Sequence, residues 1–245
     1  MKLTNYIRYW FKLPPSWRKC TKASCWDGAN AGRRMMNILS PHFTNDKFRE
    51  YVKWMEDRGC NTAHVFFANQ GDGEGAGYWV TDRLDLAKWR IKYLRLHGFG
   101  VVPWLMADDS SAYAQTFFTQ ADSIIKLYKE KSLFDHASFV CLGLEMDEYG
   151  KMDEWIRVRN AVAKYCPKLR IATHHTSGKL TFAGLGHIVC DQLEPRQATA
   201  GAIAASVQRI LAMGKQAIGF EYARHADRDK SNAAFSAGAF SVGNW

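Results

Sequence analysis

Two glutamates hold comparable places in two similar runs of this 245-residue sequence. Glu145 closes FVCLGLE (Phe139–Glu145), and Glu221 stands near the end of QAIGFEY (Gln216–Tyr222). Small residues alternate before each: Cys141 and Gly143 in one run, Ala217 and Gly219 in the other. Side chains alternate faces along a strand, so each Glu is expected to share a face with small residues, as in the crowded interior of a barrel. A carboxylate aimed into a barrel is costly unless it is hydrogen-bonded, paired or wet. Two that face each other across a cleft can divide the work of cleaving an acetal: one protonates the leaving oxygen and the other attacks or activates water. Their spacing sets the stereochemistry, roughly 5–5.5 Å for retention and roughly 6.5–9.5 Å for inversion.

Other polar side chains fall at the ends of similar runs and are candidates to hold a substrate. Asn69 follows the second run and is preferred to His64, which lies inside it and reads as a satisfied core histidine. Trp104 and Asp108 lie towards the end of the third. His174 and His175 end the fifth, and by alternation only one of them should point inward. Gln192 ends the sixth, with Glu194 just beyond, and Tyr222 and Arg224 follow Glu221. An Arg or Tyr there would keep a carboxylate ionised, although the Arg could equally be a plain ion-pair partner. Asp147 and Glu148, beyond Glu145, read as a solvated loop face or as a substitute acid.

The elements that must position these residues alternate in type. Short apolar, β-branched runs at 35–40, 61–68, 100–107, 139–145, 169–174, 187–192, 216–222 and 237–245 read as strands. Amphipathic runs at 44–58, 81–97, 111–133, 152–165, 198–213 and 228–236 read as helices. Eight strands in order, nearly all followed by helices, define an α/β fold, a single-domain (β/α)8 TIM barrel, with the weakest connection after the fifth strand. Residues 1–32 read as a basic N-terminal arm and 33–245 as the barrel, its eighth helix missing or replaced by the arm. In this architecture chemistry sits at the C-terminal ends of the strands, where both glutamates lie.

On these features the sequence resembles the large clan of retaining (β/α)8 glycoside hydrolases (clan A type), with an acid/base Glu ending strand four and a nucleophilic Glu ending strand seven. The resemblance spans about Met35–Trp245 in topology and rests on GLE at 143–145, GFE at 219–221 and Trp245 at the end of strand eight. It implies Glu145 as acid/base, Glu221 as nucleophile and Trp245 as a floor for the sugar. The sequence differs from the clan at Leu144, where Asn is common, and in having no Arg near the end of strand two.

Composition narrows the alternatives. Hydrophobic residues make up 47% and charged residues 23%, as in ordinary globular chains. Aromatics reach 13% with nine Trp, which suits either a core or a cleft that stacks sugar rings. The net charge of +9 is concentrated among Lys2, Arg8, Lys12, Arg18, Lys19 and Lys22, and hints at an anionic glycan. No nucleic-acid module is visible and no run is long enough to span a bilayer, so neither partner is expected. Six scattered cysteines without zinc-site spacing fit a reducing compartment, and Cys60, Cys141 and Cys190 read as small buried hydrophobes. Without a signal-peptide pattern a cytoplasmic location is expected; a phage-borne or lysis-released enzyme would lack one as well.

No cofactor or metal is expected. The glycine-rich loop at 71–77 follows strand two and is acidic through Asp72 and Glu74, unlike the phosphate loops of barrels. A metal-dependent amidohydrolase would resemble this chain only with a His-x-His pair on strand one, where Asn37 and Ser40 stand. The remaining alternative to a glycosidase is a barrel that binds a glycan without cutting it.

Overall fold

Eight parallel strands close on themselves in the computed structural model, which describes residues 24–25, 44–57, 62–69, 77–78, 81–106, 111–176, 178–192, 199–223 and 228–244. The staves, in order around the barrel, are β1 (Ser24–Cys25), β2 (Thr62–Phe66), β5 (Gly100–Trp104), β6 (Val140–Cys141), β7 (Ile171–His175), β8 (Ile188–Gln192), β9 (Gln216–Ala223) and β10 (Ser241–Asn244). Thus β6 is the fourth stave and β9 the seventh. The expected (β/α)8 barrel is the fold observed.

Three strand assignments change. The first stave is Ser24–Cys25, paired with Ala63 on one side and Gly243 on the other. Two residues of the segment read as an arm over 1–32 therefore form barrel wall, while the expected first strand at 35–40 lies outside the described residues. The second stave stops at Phe66: Ala68–Asn69 (β3) turns away to pair antiparallel with Gly77–Tyr78 (β4). Gly77, the last residue of the glycine-rich stretch, thus belongs to a small antiparallel pair. The fourth stave is two residues long, and the chain has left strand geometry by Glu145.

The helices form because one stripe of each is apolar. In α1 (Asn45–Asp57), Phe48, Tyr51, Val52 and Met55 are buried at helical spacing, and the Thr44 hydroxyl accepts the Lys47 N–H at 3.3 Å. Leu84, Ala87, Ile91 and Leu94 do the same in α2 (Thr81–Leu96), which Gly98 ends at φ 89°. In α3 (Ser111–Glu130) the stripe runs from Phe117 to Tyr128. A single turn, α4 (Met146–Tyr149), precedes α5 (Met152–Tyr165), whose first turn is fixed by the Lys151 N–H donating to Glu154 Oε2 at 2.8 Å. Thr199 caps α6 (Ala200–Ala212), accepting from the Ala202 N–H at 3.1 Å, and α7 is Arg228–Ser236. No described helix is long and apolar enough to cross a membrane.

The inner and outer faces follow from register. Cys141, Ala172, Ile188 and Gln216 are lateral neighbours on one level, and His174, Cys190 and Ile218 on the next. The Cys141 and Cys190 thiols, both fully buried and free, lie within hydrogen-bonding reach of each other, which marks this face as the lumen. The alternate residues Val189 and Ala217 pack instead with Ile203, Val207 and Ile210 of α6 and Ala234 of α7. That face is the helical layer.

Candidate active site

Glu145 lies beyond the end of β6, on the side of the barrel where the strands finish. It caps α4 in the left-handed conformation, φ 47° and ψ 48°. For a residue with a Cβ this geometry costs about 1–2 kcal/mol, so something must hold it. Its backbone N–H donates to His174 Nδ1 at 2.8 Å. That bond requires a lone pair on Nδ1, so the imidazole is neutral and carries its hydrogen on Nε2. Burial agrees: it pushes the His174 pKa from 6.5 to about 3, with repulsion from His175 adding and the Asp147 carboxylate opposing.

His174 is itself braced. Its ring meets the Trp104 indole edge-on, centroids 5.2 Å apart at 64°. The Trp104 Nε1–H donates to His64 Nδ1 at 2.9 Å, and burial lowers the His64 pKa to about 3, so that ring is a neutral acceptor too. His64, Trp104 and His174 thus form one row across the lumen from β2 through β5 to β7, ending on the Glu145 backbone.

The turn that carries Glu145 is pinned from outside as well. Asp147 accepts the Thr176 N–H at 3.1 Å, and the Thr176 hydroxyl lies 3.3 Å from Asp147 and 2.9 Å from Glu148, with one proton to give. The Trp155 indole N–H donates to the Met146 carbonyl at 3.0 Å. Asp147 and Glu148 act here as anchors of α4 to the end of β7.

Among the substrate-contact candidates, the structure separates the adjacent histidines. Only His174 turns inward. His175 faces the helical layer, fully buried, stacked on Phe182 at 6.1 Å with its Nε2 3.2 Å from the Thr173 hydroxyl; burial lowers its pKa to about 4. Its expected place at the mouth is not the one observed. Trp104 is also corrected: with no exposed surface and its N–H spent on His64, it supports His174 rather than offering a platform. Gln192 ends β8 on the inward face shared with Cys190, half-buried, its Oε1 without a partner among the described residues, as a group that meets a ligand would be.

Glu221 lies within β9, whose backbone is described but not the side chains of Glu221 and Tyr222. The shared-face argument from Ala217 fails, because Ala217 packs on α6 and α7. The strand does not continue regularly, however. Between Gly219 and Ala223 it advances four residues against two of β10, from Val242 to Asn244. An irregularity of that kind re-aims the side chains within it and is common at barrel rims beside active sites. The face argument fails at Glu145 too, since a Cβ on Gly143 would lie 2.5 Å from the Trp155 ring of α5. Asn69 belongs to the hairpin strand β3, and Asp108, Glu194, Arg224 and Trp245 lie outside the described residues.

One buried carboxyl lies outside the candidates that the sequence offers. Asp191, lateral neighbour of His175 on β8, is fully buried on the helical side, accepts from the Ser206 hydroxyl and lies 3.6 Å from Arg209 Nη2. Burial raises its pKa, and Asp147 adds to the rise. Its place in IVCDQ, alternating with Cys190, was the signal that could have found it. Among the described residues no group of three or more His, Cys, Asp or Glu is placed to hold a metal.

No family model matches the chain, and no curated protein matches it in sequence. Solved structures do match its fold. The catalytic domain of a GH53 protein from Ignisphaera aggregans superposes with a TM-score of 0.57 at 13% identity, covering 79% of this chain and 76% of that one. A GH113 beta-1,4-mannanase gives 0.59 at 12%, covering 91% and 87%. A glycoside hydrolase family 5 protein from Bacteroides vulgatus gives 0.59 at 12%, covering 82% of this chain and 54% of its own. In fold, the chain resembles barrel glycoside hydrolases. That is the resemblance drawn from the two glutamates, now carried by backbone geometry, and at such identities it speaks for the fold alone.

Proposed function

We propose that the chain is a glycoside hydrolase acting on a polysaccharide or other glycan, with Glu145 as acid/base and Glu221 as nucleophile. The observation that carries this reading is the posture of Glu145. A strained left-handed glutamate at the mouth of the barrel, its backbone bonded to a buried neutral imidazole, is the arrangement expected where a carboxyl must be aimed. Glu145 would protonate the glycosidic oxygen as Glu221 attacks the anomeric carbon, and would then deprotonate the water that releases the sugar. Gln192 would offer its carbonyl to a sugar hydroxyl, with Asn69, Asp108, Tyr222, Arg224 and Trp245 as further contacts. The net charge of +9 favours an anionic glycan.

A second reading has one observation in its favour. Since Ala217 faces the helices, strict alternation would turn Glu221 away from the lumen, leaving a barrel that binds glycan without cutting it. One experiment separates the two: hydrolysis of a panel of aryl glycosides and polysaccharides by the wild type, Glu145→Gln and Glu221→Gln. Under the catalytic reading both variants lose at least roughly 100-fold in kcat, and azide restores turnover to Glu221→Ala. Glycan binding that survives both substitutions, with no hydrolysis by the wild type, would establish the binding barrel instead.

A further inference from the structure

We infer that His174 is a positioning residue for Glu145: its Nδ1, accepting the Glu145 N–H, holds that backbone in the left-handed turn that aims the carboxyl. The inference deepens the catalytic reading and rests on it for its kinetic consequences, whereas the hydrogen bond itself is a property of the fold.

Three observations converge. The left-handed geometry of Glu145 is unfavourable by itself, so its persistence needs an external partner, and the 2.8 Å bond supplies one. The acceptor is fully buried and stays neutral, so it accepts from the N–H at any ordinary pH. Its ring cannot swing away, because Trp104 packs edge-on against it and is locked in turn by its N–H bond to His64. An acceptor fixed to this degree sets the backbone angle at Glu145, and hence the direction of its side chain. The α4 anchors at Thr176 and Trp155 fix the turn just after Glu145, so His174 fixes the turn's entry and those anchors its exit. With Nδ1 engaged, the Nε2–H is the only donor the ring has.

The test compares His174→Asn, whose Oδ1 reproduces the Nδ1 acceptor, with His174→Gln, whose acceptor sits where Nε2 was. His174→Leu has no acceptor. All three are assayed with the sugar that the wild type cleaves from the panel, as a dinitrophenyl glycoside, which needs no acid help, and as a phenyl glycoside, which does. The expected result is selective: His174→Leu and His174→Gln lose roughly 100-fold in kcat/KM on the phenyl glycoside and little on the dinitrophenyl one. His174→Asn stays within about 10-fold of wild type on both. Equal losses on both leaving groups, or equal losses in Asn and Gln, would mean His174 only fills space and would overturn the inference. If His174→Leu does not fold, the Asn and Gln pair decides.

A measurement without substrate keeps this separate from the catalytic reading. In nitrogen-15-labelled wild type, a scalar coupling across the hydrogen bond should join the Glu145 amide to His174 Nδ1. Its presence in a protein that hydrolyses no glycoside would sink the function and leave the positioning standing. A protonated Nδ1 with no coupling would sink the positioning whatever the enzyme cleaves.

Discussion

His174 and His175 are neighbours on one strand, both fully buried and both neutral, yet they belong to opposite regions of the molecule. His174 faces the lumen in a row with His64 and Trp104 that ends on the Glu145 backbone. His175 faces the helical layer beside Asp191, which Ser206 and Arg209 tie to α6. The inner row contains no charge and terminates on a strained residue at the mouth. The outer group holds a buried carboxyl and terminates on a helix. Burial of polar groups therefore serves two ends here: inside, it fixes the aim of a catalytic candidate; outside, it fastens a helix to the barrel.

The largest expected effect is on stability in acid. His64 and His174 have folded pKa values of about 3 and His175 of about 4, against 6.5 when unperturbed. A depressed histidine favours the fold fully above 6.5, and that contribution is lost as the pH falls from 6.5 towards the folded values. With all three titrating in the unfolded chain, stability should drop by up to about 4 kcal/mol per pH unit between pH 6 and 4. Asp191 works in the other sense: its raised pKa means that lowering the pH towards 3.8 relieves a buried charge, so the outer group partly compensates and the inner row does not. Urea midpoints measured across this range check the claim, and a flat profile would break the contrast.

Next in size is Trp104→Phe, which keeps a ring against His174 but takes the indole N–H from buried His64. It should cost about 1–3 kcal/mol and also lower kcat, because the inner row reaches Glu145. Ser206→Ala strikes the outer group by removing a hydroxyl from the buried Asp191 carboxylate, again at about 1–3 kcal/mol, but with kcat unchanged. Paired denaturation and kinetic measurements on these two variants sharpen the comparison directly. Were Ser206→Ala to lower kcat as much as Trp104→Phe, the two regions would not be functionally distinct. The smallest effect is expected for Thr176→Val, which loses half-exposed hydroxyl bonds to Asp147 or Glu148 and keeps the backbone one. A loss near 0.5–1.5 kcal/mol in thermal unfolding would fit an anchor; none would show that the Thr176 N–H and Trp155 hold α4 without the hydroxyl.

Much of this was legible in the chain because it depends on local pattern. Alternating apolar runs and amphipathic helices specify an α/β fold with a parallel sheet, since each element must bury one face, and a count of eight strands suits a closed (β/α)8 barrel. Glu145 on the side where the fourth stave finishes, and the opposite facing of His174 and His175, follow from chain order and the two-residue period of a strand. The reading failed where distant partners decide. Ser24–Cys25 became the first stave because β10 and β2 offer it backbone partners on either side, a choice no local propensity expresses. Two small residues before Glu221 suggested a lumen face, but Ala and Gly suit a close-packed helical layer equally well, and only the register with Val189 reveals that Ala217 lies there. The posture of Glu145 was invisible for the same reason: its strain is held by an imidazole on the next stave, and hydrogen bonds between residues far apart in sequence exist only once the barrel has closed.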